Sequence, residues 1–62
     1  MNNTENSALY RLEWYDGYKI RNFYHYDAIA LRKFINEMRR FAEPGEWYVL
    51  YNYNGVLQRG HF

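Results

Sequence analysis

Between Asp27 and Pro44 the apolar residues Leu31, Phe34, Ile35, Met38, Phe41 and Ala42 recur at three- and four-residue spacing. Arg32, Lys33, Asn36, Glu37, Arg39 and Arg40 fill the opposite side. That is a helical stripe, not a two-residue alternation. It predicts a helix over 28–42 with Asp27 as its N-cap, because a carboxylate there accepts an orphan N–H of the first turn and suits the positive end of the dipole. Pro44 and Gly45 stop it. Arg39 and Arg40 then fall in the last turn, where cations complement the dipole.

The flanking segments read differently. Residues 8–26 are dense in aromatic and β-branched residues around Asp16-Gly17, which predicts a β-hairpin. A three-residue loop, Tyr15-Asp16-Gly17, pairs Trp14 with Tyr18, Leu12 with Ile20 and Glu13 with Lys19. It keeps the faces consistent and sets opposite charges against each other. Tyr10, Leu12, Trp14, Tyr18, Ile20 and Tyr24 then face the helix, and Arg11, Glu13, Lys19, Arg21, Phe23 and His25 face away. Residues 47–62 predict a second hairpin turned by Asn54-Gly55, pairing Tyr53 with Val56 and Val49 with Gly60. Trp47, Val49, Tyr51 and Tyr53 would face the helix. Gly60 marks a bulge or a close backbone approach.

Together these elements predict an α+β fold: a two-layer ββαββ unit, in which a four-stranded antiparallel sheet carries one helix packed on one face. The strands on either side of the helix are expected as neighbours at the centre. The domain spans 8–62, and residues 1–7 read as a flexible N-terminal tail. The far sheet face would mix Arg11, Glu13, Lys19 and Arg21 with Leu9, Phe23, Tyr48 and Leu50.

Composition sharpens the picture. At 62 residues the chain buries only about 60% of its unfolded surface, so its stability is expected to be marginal. It has no cysteine, which excludes disulfides and thiolate metal sites. Aromatic residues make up 23% of the chain, eight of them tyrosines, enough to build a core from few residues and still supply an interface. A net charge of +1 neither demands a nucleic-acid partner nor suits an acidic DNA mimic. No apolar run approaches the ~20 residues of a membrane span, and Met1–Ser7 lacks the charged and apolar regions of a signal peptide. The expectation is a cytoplasmic protein with no membrane partner.

Catalytic chemistry is poorly represented, and a non-enzymatic protein is expected, with no catalytic residue, cofactor or metal site. Ser7 and Thr4 lie in the tail, and no Gly-rich phosphate loop or nucleophile elbow occurs. His25 with Asp27 reads as local capping rather than a catalytic pair. His25 and His61 lie far apart for a metal site.

Two binding functions remain. The first is an accessory or inhibitory protein that binds another protein, or a second copy of itself, through an aromatic and basic sheet face, with Leu9, Arg11, Arg21, Phe23, His25 and Tyr48 as contacts. An edge strand added to a partner's sheet is a variant of it. The second is single-stranded RNA or DNA binding, with Arg32, Lys33, Arg39 and Arg40 on phosphates and sheet aromatics stacking bases. The protein-binding reading ranks first. An enzyme subunit completed by its partner is a third and weaker alternative.

Overall fold

The computed structural model describes residues 9–62. The tail expected over 1–7 lies outside them. The elements are β1 (Tyr10–Tyr15), β2 (Ile20–His25), α1 (Ala28–Met38), β3 (Trp47–Asn52) and β4 (Gly55–His61). The four strands form one antiparallel sheet in the order β2-β1-β3-β4 with the helix on one face, which is the expected ββαββ architecture. The centre differs from expectation. β1, not β2, lies beside β3. Leu12 of β1 and Leu50 of β3 are both 0% exposed and stand opposite each other, whereas β2 contributes no fully buried residue. The strand with the most to bury takes the centre.

The helix begins as expected. Asp27 has extended backbone geometry and its Oδ1 accepts from the Ile29 N–H at 2.9 Å. The Asp27 N–H in turn donates to His25 Nδ1 at 3.0 Å, so the histidine and the carboxylate form one capping arrangement. Leu31, Ile35 and Met38 are buried and Phe34 is half-buried. The helix ends at Met38, short of the expected Ala42. Beyond it the N–H groups of Arg40 and Phe41 reach back only three residues, to Glu37 and Met38. That tightening rotates Phe41 outward to 80% exposure. Arg39 becomes the C-cap, and no basic residue lies in the last helical turn.

Both hairpins adopt registers other than those expected. In the first, Tyr15 pairs with Ile20, Trp14 with Arg21 and Leu12 with Phe23. The turn is responsible. Asp16 Oδ1 accepts from the N–H groups of Tyr18 and Lys19, both at 2.9 Å, and the Asp16 N–H donates to the Lys19 carbonyl at 3.2 Å. Gly17 sits at the first central position with φ +90, as this turn requires, and Tyr18 is left 90% exposed in the loop. Arg21, Phe23 and His25 thereby move to the helix side, and Ile20, Asn22 and Tyr24 to the outer side. Phe23 gains the aromatic cluster under the helix, 4.9 Å from Phe34 and 6.1 Å from Trp14 between ring centroids.

In the second hairpin Asn52 pairs with Gly55 around Tyr53-Asn54, and the Asn54 N–H donates to Asn52 Oδ1 at 2.8 Å. The faces of β3 are consequently the reverse of those expected: Tyr48, 2% exposed, and Leu50 point to the helix, while Trp47, Val49 and Tyr51 point outward. Gly60 is a close approach rather than a bulge. A Cβ there would lie 2.8 Å from the Tyr48 hydroxyl, so the phenol ring can cross β4 only over glycine. The irregularity falls instead opposite Leu50 and Tyr51, where Leu57 has no partner. The Tyr48 hydroxyl accepts from Gln58 Nε2 at 3.0 Å and from Arg39 at 3.2 Å, so its polar tip is satisfied.

Candidate interaction surface

Strand pairing builds the outer sheet face in three rows. Across one end run Ile20, Tyr15, Trp47 and His61; across the middle Asn22, Glu13, Val49 and Arg59; across the other end Tyr24, Arg11, Tyr51 and Val56. No described element covers this face. Tyr15 and Trp47 stack at 5.7 Å with an interplanar angle of 26°. With Val49 and Tyr51 they form a half-buried apolar band along β1 and β3. A groove of ≈ 370 Å³ opens beside it between β3 and β4, lined by Trp47, Val49, Arg59 and His61.

Arg11 and Glu13 are paired within this face, while Arg59 is exposed in its middle row. The Arg11 guanidinium donates to Asn22 Oδ1 at 2.7 Å, lies 3.8 Å from Glu13 and sits 4.1 Å over the Tyr51 ring. The Tyr51 hydroxyl donates to Glu13 Oε1 at 3.0 Å. Arg11, Glu13, Asn22 and Tyr51 thus form one closed polar patch whose net charge is near zero.

The chain matches no family model, no curated protein and no solved structure.

The contact residues expected from sequence do not share a face. Arg11 lies on the outer face as expected, and exposed Leu9 precedes it at the strand end. Arg21, Phe23 and His25 lie on the helix side, and Tyr48 is in the core. The outer face instead carries Tyr15, Trp47, Val49 and Tyr51, which a consistent apolar match of Leu12 to Leu50 across β1 and β3 would have placed there. Of the four cations, Arg32 and Lys33 lie on the helix and Arg39 and Arg40 follow its end, and all four are exposed. Arg32 Nε donates to Gln58 at 3.3 Å, and Arg39 donates to the Tyr48 hydroxyl and lies 5.8 Å from the Phe62 ring. Among the described residues no group of three His, Asp or Glu side chains converges in a way that could hold a metal, and no helix is long and apolar enough to cross a membrane.

Arg21 has a different task. Its Nε meets Asp16 Oδ2 at 2.6 Å and its guanidinium lies 5.9 Å from the Trp14 ring. The Lys19 N–H, the Arg21 guanidinium and the Tyr18 N–H hold the Asp16 carboxyl well below its ordinary 3.8, at about 2. A carboxyl whose pKa is depressed on folding stabilises fully above its unfolded value and ceases to do so as pH falls through the folded one. Asp16→Asn is therefore expected to lower the melting temperature relative to the parent above about pH 4, with the gap closing toward pH 2. Thermal melts of both proteins across that range check this; a gap that persists unchanged at pH 2 would refute it.

Proposed function

We propose that the protein is a small non-enzymatic interaction module, an accessory or inhibitory protein that binds another protein through the outer face of its sheet. The observation that carries this reading is the uncovered band of Tyr15, Trp47, Val49 and Tyr51, set beside a polar patch already neutralised by its own hydrogen bonds. Flat aromatic surface set beside a hydrogen-bonded polar patch has the composition of an interface core and rim. A cytoplasmic place of action accords with a chain that needs no disulfide. Single-stranded nucleic-acid binding through Arg32, Lys33, Arg39 and Arg40 has less support, because Arg32 and Arg39 already hold side-chain partners.

Val49 is the position to test, since it lies mid-face beside Glu13 and Arg59. In Val49→Lys the new ammonium meets Glu13 on one side and Arg59 on the other, so a charge enters the centre of the contact, and circular dichroism matching the parent establishes that the fold is kept. Tagged parent and variant are used to capture partners from the source cell's lysate, with and without nuclease. A partner protein recovered equally from both parent samples, and bound about thirtyfold more weakly or worse by the variant, supports the reading. Recovery that collapses with nuclease transfers it to nucleic acid, and a variant that binds like the parent removes the outer face.

A further inference from the structure

The two edges of the sheet are built differently. β4 carries the unpartnered Leu57, the charged Arg59 and Gly60. Bulges and charges are devices that discourage further strand pairing. β2 has no bulge, proline or glycine along Ile20–His25, and its ladder to β1 is continuous; its one formal charge, Arg21, is turned to the helix side and is ion-paired with Asp16 at 2.6 Å. Ile20 remains 49% exposed on it.

The direction of its backbone groups follows from bonds elsewhere in the sheet. The Asp16 N–H to Lys19 carbonyl bond makes 16/19 a hydrogen-bonded pair, so 14/21, 12/23 and 10/25 are hydrogen-bonded pairs too. The Phe62 N–H to Glu46 carbonyl bond at the opposite edge gives the same alternation when it is carried across β3 and β1. Arg21, Phe23 and His25 therefore spend their N–H and carbonyl groups on β1, and Ile20, Asn22 and Tyr24 turn theirs outward.

From this arrangement we infer that β2 pairs antiparallel with β2 of a second copy about a two-fold axis at Asn22, joining two sheets into one of eight strands. That register sets Asn22 opposite Asn22 and Ile20 opposite Tyr24, and it engages every outward-turned group of the strand. The paired residues come from the outer face in both copies, so the faces stay continuous. On the helix side Arg21 meets Phe23, and no like charges are opposed. A self-complementary contact of this kind closes at two copies. The inference stands apart from the partner reading, since edge pairing leaves the outer face open.

Asn22→Pro tests it, because the N–H it removes points away from β1, so no ladder bond within the chain is lost; the substitution also removes the exposed acceptor of Arg11, which Asn22→Asp keeps. Proline is accepted at such edge positions. Asn22→Asp is the second variant: it keeps the acceptor for Arg11 and sets two carboxylates directly opposite each other across the axis. Sedimentation of the full chain over a range of concentration is expected to show a parent dimer. Each variant should dissociate it, with Asn22→Pro raising the dissociation constant about 100-fold, and circular dichroism should remain that of the parent. Should Asn22→Pro fail to fold, Asn22→Asp decides. A parent that stays monomeric overturns the inference, as does a dimer that a folded variant leaves intact.

Discussion

Leu50→Ala is expected to unfold a large part of the population at physiological temperature. Leu50 is fully buried, stands opposite Leu12 in the central seam and lies under the helix with Ile35. Truncating such a side chain costs about 2–5 kcal/mol, the transfer of the lost methyl groups plus the cavity they leave. At about 0.05–0.15 kcal/mol per residue, a chain of this length has only about 3–9 kcal/mol in total. Heat or urea denaturation followed by circular dichroism should show a fall in melting temperature of roughly 15 °C or more. Phe41→Ala is the matched control. Its ring belongs to the same sequence stripe but is exposed, so its removal should change stability by no more than about 0.5 kcal/mol. Comparable losses from the two substitutions would mean that the helix continues past Met38.

The second large effect is expected at Glu46, the one buried charged residue among those described. Its Oε1 accepts from Trp14 Nε1 at 2.9 Å and its Oε2 from the Glu43 N–H at 3.0 Å. The carboxylate thereby ties β1 to the loop that returns the chain from the helix, and its burial is offset by hydrogen bonds rather than by an ion pair. Glu46→Ala leaves both donors without an acceptor in a partly buried place, at a cost of about 2–4 kcal/mol. Glu46→Gln keeps one acceptor oxygen and should lose about half as much. Trp14→Phe removes the indole donor. If the Trp14–Glu46 bond carries the effect, a double-mutant cycle with Glu46→Ala should give a coupling of about 1–2 kcal/mol. Additive losses would show that Glu46 acts through the loop alone.

The sequence made the elements legible, but not the way their faces point. The helix start could be read because Asp27 and the apolar stripe act within a few residues of each other. The helix end could not, because Phe41 continues the periodicity while the chain tightens into the Glu43–Glu46 turn, which Glu46 closes locally and anchors to distant Trp14. In the first hairpin the register cues in the sequence are face consistency and the charge pairing of Glu13 with Lys19. The turn instead uses Asp16 as an acceptor for three donors, which moves the partner of Leu12 from Ile20 to Phe23. An odd shift turns over a whole strand. β3 presents aromatic or aliphatic residues on both sides, so its own pattern is silent on which side is inner. Pairing with Leu12 decides it. The candidate surface differs from the sequence expectation for the same reason: Arg11 lies on it, but the rings beside it come from the side of β3 that the sequence pattern assigns to the core.

The strand order also bears on how the chain assembles. Each hairpin closes locally, on a timescale of about microseconds. The seam between β1 and β3 is another matter, because it joins residues more than thirty positions apart, as Tyr15 and Trp47 are, and encloses β2 and the helix in the loop it closes. Loop closure of that length is paid before the contacts that reward it. Leu12 and Leu50 meet only at that step, so the fully buried part of the core forms only when both hairpins are present, although Trp14, Phe23 and Phe34 can cluster before it. The seam is thus the place where two local structures become one cooperative unit, and loop-closure entropy makes its formation the expected slow step of folding.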